Sequence, residues 1–177
     1  INNTTLASAL SYNWNPIPDV IDNDLRVRIV YLNDTSVTDD SNANFEIKGS
    51  LTLTAPDGGE VWEQGGPAQN ITWNKTGTLG NVELRYSTDG STYPNLITGS
   101  VSSASPYSWT IPTASSASST TARVKITLLS DSAVTDTSDN NFRIKPKLAL
   151  TAPNGGQTWV VGNPENITWT PTGKDIR

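Results

Sequence analysis

Two oxygen-rich stretches are the first places to look for chemistry in this sequence. "NDTSVTDDSNAN" (Asn33–Asn44) and "SDSAVTDTSDNN" (Ser130–Asn141) gather Asp, Asn, Ser and Thr at short spacing. Calcium takes carboxylate and carbonyl oxygens, so Asp34, Asp39, Asp131, Asp136 and Asp139 are candidate ligands. "DVIDND" (Asp19–Asp24) is a further acidic cluster. The spacing fits no EF-hand. Asx and Ser/Thr turns leading into a following strand explain the same residues, and the expectation is therefore no metal and no cofactor.

The aromatic residues are the second place. An exposed indole stacks on a sugar ring, whereas a strand-core Trp is buried with its N–H bonded. Trp14, Trp73, Trp109 and Trp169 share a strand face with other apolar residues, which predicts core positions. Trp62 and Trp159 lie beside Gly-rich turns and, with Tyr93, are candidates for stacking on a polysaccharide. Asn2, Asn3, Asn33, Asn70, Asn74 and Asn166 each have Thr two positions on, the spacing of an N-glycosylation acceptor. In "NITW", Asn70 and Asn166 are predicted to face outward, opposite Ile71 and Ile167.

No catalytic constellation emerges. The chain has no His and no Cys, which removes Ser–His–Asp machinery, thiolate metal sites and disulfides. Carboxylate pairs exist, but spacing alone does not set two of them across a cleft as glycoside hydrolysis needs. No enzyme is expected. A net charge of −5 argues against nucleic acid, whose phosphates need a basic stripe. No apolar run has the length of a membrane span, and no membrane insertion is expected.

The elements that must position these residues follow from a repeat. "LTLTAPDGGEVW" at Leu51 returns as "LALTAPNGGQTW" at Leu148, 97 residues later. The same offset carries "RVRIVYLNDTSVTDDSNANFEIK" (Arg26–Lys48) onto "RVKITLLSDSAVTDTSDNNFRIK" (Arg123–Lys145). "YNW" at Tyr12 matches "YSW" at Tyr107, and "NITW" at Asn70 recurs at Asn166. The predicted organisation is the closing part of one repeat over 1–48, a complete repeat over 49–147 and the opening part of a further one over 148–177.

Within the complete repeat the apolar period is two, and no helical stripe is present. Val124, Ile126 and Leu128 alternate with Arg123, Lys125 and Thr127; Val82, Leu84 and Tyr86 alternate with Glu83 and Arg85. Tyr107, Trp109 and Ile111, Ile71 with Trp73, and Phe142 with Ile144 extend the pattern. "PDGG", "PNGG" and "TDG" supply turns, with Gly where φ must be positive. Strands are predicted near 50–55, 60–64, 70–74, 82–87, 94–98, 107–111, 122–129 and 141–145. "TASSASSTT" (Thr113–Thr121) reads as a flexible loop. Seven or eight short strands per repeat predict an all-β immunoglobulin- or fibronectin-III-like sandwich.

The chained motifs "PDGGEVWEQGG", "NITW", "VELRYSTDGSTY", "YSWTIP" and "VTDTSDNNFRI" resemble the Ig-like repeat of the Ser-Thr-rich glycosylphosphatidylinositol-anchored membrane family. That module is also described as the yeast cell-wall glucan-synthesis-protein N-terminal-like domain. The resemblance spans the complete repeat and both partial copies. It implies an extracellular, cell-surface β-sandwich of large secreted proteins and brings no catalytic residues. Tyr93 stands where the family tends to place an aromatic such as Trp.

Neither partial repeat can close a core alone, so bare apolar faces and open strand edges are expected there. The expected partners are neighbouring copies of the chain or adjacent repeats, with extracellular polysaccharide as the alternative. The functional expectation is a structural repeat serving as stalk, fibre or adhesin scaffold, polymerised by strand complementation. A carbohydrate-binding accessory module is the alternative.

Overall fold

The computed structural model describes residues 4–5 and 7–173, so Asn2 and Asn3 lie outside the described residues. Strands take up 45% of the chain and helix 3%. The chain divides at Gly49 into two compact units, Ile1–Gly49 and Ser50–Arg177.

The first unit carries β1 (Asp22–Leu25), β2 (Arg28–Val30), β3 (Thr38–Asp40) and β4 (Phe45–Ile47). β1 pairs with β4 and β2 with β3, both antiparallel. The alternation predicted through Arg26–Tyr31 is realised only over β2, while β1 begins in the acidic cluster Asp19–Asp24. Alternation alone makes Ile29 an inward residue, yet it is 72% exposed, and Tyr31 is exposed as well. The physical reason is that nothing among the described residues of the unit covers this face. Trp14 packs edge-on to Phe45 in this unit, with ring centroids 6.3 Å apart.

The second unit holds the remaining strands. They are β5 (Ser50–Ala55), β6 (Val61–Glu63), β7 (Gln69–Thr76), β8 (Asn81–Ser87), β9 (Asn95–Ser102) and β10 (Tyr107–Trp109). A 3-10 turn (Ser115–Ala117), β11 (Ser119–Leu128), β12 (Thr135–Thr137), β13 (Phe142–Lys145), β14 (Lys147–Ala152) and β15 (Thr168–Thr172) follow. One sheet has the order β10-β7-β5; the other runs β6-β13-β11-β8-β9, with β12 also on β11. β13 and β6 run parallel, while the other pairs are antiparallel. Both sheets send their apolar faces into one cluster that contains Leu51, Leu53, Ile71 and Trp73 from one and Val82, Leu84, Val124 and Ile126 from the other. Each such side chain contributes about 1.5–3 kcal/mol on leaving water. Tyr107, half-buried, packs on its margin.

The alternation read from the sequence matches this burial. In β11, Val124, Ile126 and Leu128 are buried while Arg123, Lys125 and Thr127 are half-exposed. Two expectations need correction. The Thr113–Thr121 segment is not a flexible loop: Ala117 is buried in the 3-10 turn, and Ser119 to Thr121 already belong to β11. Gln64 reaches over to fix this segment, its Nε2 donating to the carbonyls of Pro112 and Ala114, both at 2.8 Å. Its Oε1 accepts from the Ser118 hydroxyl at 2.7 Å. The acidic stretch Ser130–Asn141 in turn contains the short strand β12. Its register opposite Lys125–Thr127 supplies hydrogen bonds that the polar composition concealed.

The 97-residue sequence offset has counterparts in local geometry. β5 pairs with β7 through Leu53↔Trp73 and Ala55↔Thr72, with a bulge between. β14 pairs with β15 through Leu150↔Trp169 and Ala152↔Thr168, with the same bulge. Thr54 and Thr72 share a hydroxyl bond of 2.7 Å, as do Thr151 and Thr168. Arg26 donates to Asn44, and Arg123 to Asn141, both at 2.8 Å. The Val27 N–H donates to the Ser41 hydroxyl as Val124 N–H does to Ser138.

Candidate functional site

Of the five candidate carboxylates, those of Asp34, Asp131 and Asp136 accept bonds in local structure. Asp131 Oδ1 accepts the Ala133 N–H at 2.9 Å. Asp136 Oδ2 accepts the Leu53 N–H at 2.7 Å and so ties β12 to the edge of β5. The Asp139 N–H donates to Asp57 Oδ1 at 2.7 Å, fastening the "PDGG" turn. Asp34 accepts both the N–H and hydroxyl of Ser36, which holds its carboxyl below the usual range, the hydroxyl first. Asp39 is exposed on β3 and its carboxylate has no hydrogen-bond or ion-pair partner among the described residues. Among the described residues no three His, Cys, Asp or Glu side chains gather as a metal-ligating group.

The most strongly organised acid is one the sequence did not single out. Asp89 lies in the loop between β8 and β9 and accepts from the Ser87 hydroxyl, the Ser91 and Thr92 N–H groups and the Thr92 hydroxyl, at 2.5–2.8 Å. These donors, the Thr92 hydroxyl first, hold its carboxyl well below the ordinary carboxylate range. The only sequence signal was the "TDG" turn. Ser87 itself is fully buried and donates to the same carboxylate, so this is turn architecture. Ion pairs are peripheral: Arg28 to Asp40 at 2.6 Å, Arg85 to Glu83 at 2.6 Å and Lys145 to Glu63 at 3.0 Å.

The three candidate stacking rings separate cleanly. Trp62 is buried, with ring centroids 5.9 Å from Trp109 and 4.9 Å from Phe142. Its ring is unavailable to a ligand because parallel pairing of β6 with β13 places it opposite Ile144, inside the core. Tyr93 is half-buried, with the Lys125 ammonium 5.9 Å from its ring centroid. Trp159 is 42% exposed and is followed by exposed Val160 and Val161. These residues are not brought together on one strand or loop.

The core expectation holds for Trp73 and Trp109, and the Trp73 Nε1 donates to the Ser103 carbonyl at 3.0 Å. It does not hold for Trp169, which is 57% exposed, because β14 and β15 form a two-stranded sheet with no partner layer. Trp14 is half-buried against Phe45. Asn33, Asn70, Asn74 and Asn166 are all exposed. Ile167, expected to point inward, is exposed too.

A recess of about 350 Å³ in the first unit is lined by Trp14, Val20, Leu25, Phe45 and Ile47, with Arg26 and Arg28 also on its wall. In the second unit a shallower groove of about 370 Å³ runs past Thr88, Ser118–Thr121 and Arg143. Two of its hydroxyls, those of Ser119 and Thr121, are spent on the Thr88 carbonyl. No helix among the described residues is long and apolar enough to cross a membrane. No protein-family model, curated protein or solved structure matches this chain.

Proposed function

We propose that this chain is a non-enzymatic structural segment of an extracellular surface protein, built of tandem immunoglobulin-like sandwiches and serving as stalk, fibre or adhesin scaffold. The observation that carries this reading is the return, at the sequence offset, of the same ladder register and the same side-chain bonds in β5–β7 and β14–β15. A chain that spends its Thr hydroxyls, its Arg–Asn pairs and its buried Ser on rebuilding one unit is specialised for repetition. Successive repeats are separated by stretches as short as "KGS" (Lys48–Ser50) and "KPK" (Lys145–Lys147). The resemblance to the Ser-Thr-rich anchored surface family agrees with a scaffold that projects other domains outward.

A second reading is favoured by one observation, the exposure of Trp159 beside two exposed valines. An amphipathic ring in that setting suits a wall polysaccharide. The two readings separate in one set of measurements. Arrays of two, three and four copies of this chain in tandem are examined by small-angle scattering and tested on immobilised wall glucans. The scaffold reading expects a maximum dimension that grows by a constant increment per copy, without glucan retention. Retention that is lost in Trp159→Ala would replace it with the binding module.

A further inference from the structure

The complete repeat distributes its charge unevenly. Between Ser50 and Lys147, every basic residue except Lys75 lies on β8, on β11, on β13 or at the start of β14. The apolar residues of β8, β11 and β13 point into the core, so Arg85, Arg123, Lys125, Arg143 and Lys145 share the outer face of one sheet. Part of that charge is matched. Glu83 pairs with Arg85 at 2.6 Å, and Glu63 serves both Lys145 and Lys147. Arg123, Lys125 and Arg143 have no carboxylate partner among the described residues. Lys125 also stands directly opposite Arg85 in the ladder, and like charges placed so work against the stability of a sheet.

The first unit neutralises the same positions. Arg28, the counterpart of Lys125, pairs there with Asp40 at 2.6 Å, and the counterpart of Asp40 is Thr137. The ladder places are the same: Arg28 stands opposite Asp40 as Lys125 stands opposite Thr137. Glu46 occupies the place of Arg143 and pairs with Lys48 at 3.2 Å. Both exchanges make the complete repeat the more positive copy, so the excess is not a requirement of these strands.

Polar groups extend the stripe. Ser119 and Thr121 project on the same side of β11 as Arg123 and Lys125, since alternate residues of a strand share a face. They line the groove of about 370 Å³ with Thr88, Thr120 and Arg143. Their hydroxyls donate to the Thr88 carbonyl, so towards a ligand they act as acceptors. Further along the same face, Tyr93 lies half-buried with the Lys125 ammonium 5.9 Å from its ring centroid.

We infer that the outer face of this sheet binds a linear acidic polysaccharide, whose carboxylates meet Arg143, Arg123 and Lys125 while its sugar hydroxyls donate along the groove. A guanidinium takes a carboxylate through two N–H groups, and an ammonium takes it as a point charge. Cations on alternate strand residues stand about 7 Å apart, which suits one charge per sugar. Nucleic acid fits less well, because its closely spaced phosphates need a longer basic tract and the whole chain carries a charge of −5. The inference goes beyond the scaffold reading and does not depend on it, since the face lies within the complete repeat.

The test is equilibrium binding of the intact chain to immobilised polygalacturonate at about 0.01 M and about 1 M salt, where the screening length falls from about 30 Å to about 3 Å. Binding is expected at the lower salt and its loss at the higher. The fully methyl-esterified polymer, the same sugar chain without its charges, should not bind. Lys125→Ala and Arg143→Ala should each weaken binding about fivefold, the scale of one exposed charge pair. Lys75→Ala removes the same charge from the other sheet and should leave binding unchanged. Circular dichroism verifies that each variant is folded. No binding at the lower salt, or equal binding of the ester, overturns the proposal. An equal loss in Lys75→Ala overturns it too, by reducing the effect to net charge. Tighter binding of single-stranded oligodeoxythymidylate than of polygalacturonate does the same and assigns the face to nucleic acid. The scaffold reading stands in each case, because scattering from the tandem arrays tests it separately.

Discussion

The Asp136 carboxylate accepts the Leu53 N–H at 2.7 Å, a bond that spans 83 positions of sequence. It joins two strands that do not share a sheet: β5 closes one layer, and β12 rides on β11 in the other. The outward N–H of an edge strand is a standing invitation to stray pairing. Here a carboxylate from the opposite layer occupies it.

Asp136→Ala leaves that half-buried N–H without an acceptor and should cost about 1–3 kcal/mol. Asp39→Ala, the equivalent substitution in the first unit, removes a carboxylate that bonds nothing among the described residues. It should leave the urea midpoint of the second unit unchanged. Equal shifts in the two variants would show that the inter-sheet bond carries no stability.

Trp62→Ala empties the space between Trp109 and Phe142, and a truncation of that kind costs about 3–5 kcal/mol. Trp159→Ala removes an exposed ring and should change unfolding by less than about 0.5 kcal/mol. Chemical denaturation followed by circular dichroism distinguishes them. The contrast matters because the two rings occupy equivalent places in the sequence and differ only in whether a partner layer exists.

That contrast also explains what was legible in the sequence. Period-two alternation identified the inward residues of β8, β11 and β13, because burial on one face leaves a direct mark on composition. Alternation alone gave Ile29 and Trp169 the same inward pattern, and only the repeat map, which left both in partial repeats, carried the expectation that such faces would be bare. Exposure there depends on the presence of an opposing sheet, which no local window encodes. Gln64 and Ser138 were missed for the opposite reason. Both are polar and look like surface residues, yet both are fully buried with their bonds made. The oxygen-rich loops suggested cation ligands because their composition is ambiguous. Only the positions of Leu53 and Asp57 show that the Asp136 carboxylate serves a backbone N–H and that the Asp139 main-chain N–H is held by the Asp57 carboxylate.

Asp89 gives the pH response a direction. Its folded carboxyl titrates well below the ordinary range because four donors favour the charged form. A group depressed in this way contributes its stability above the unfolded-state pKa, about 3.9. That contribution is lost as pH falls from there towards the folded value. The melting temperature should therefore decline between about pH 5 and pH 2, and Asp89→Asn should flatten the decline. Parallel curves for the two proteins would assign the acid sensitivity to other carboxylates.

The "PDGG" turn offers the sharpest internal control. Gly58 has φ of +136°, and a Cβ added there would fall 2.4 Å from the Cβ of Asn140. The approach is close because Asn140 and Asp139 both donate backbone N–H groups to Asp57, its carbonyl and its carboxylate respectively. Its counterpart Gly155 has φ of +104° but nothing within 4 Å of the added atom. Gly58→Ala meets both a disfavoured backbone and backbone-anchored atoms that cannot retreat, so the second unit should lose about 2 kcal/mol or more. Gly155→Ala meets only the backbone penalty, about 1–2 kcal/mol, confined to the β14–β15 hairpin. Hydrogen exchange resolves the two. The first variant should raise exchange across β11 and β13, the second only between Lys147 and Thr172. Should Gly58→Ala leave the β11 amides as protected as in the wild type, the close packing of this turn against Asn140 would not be a stabilising contact.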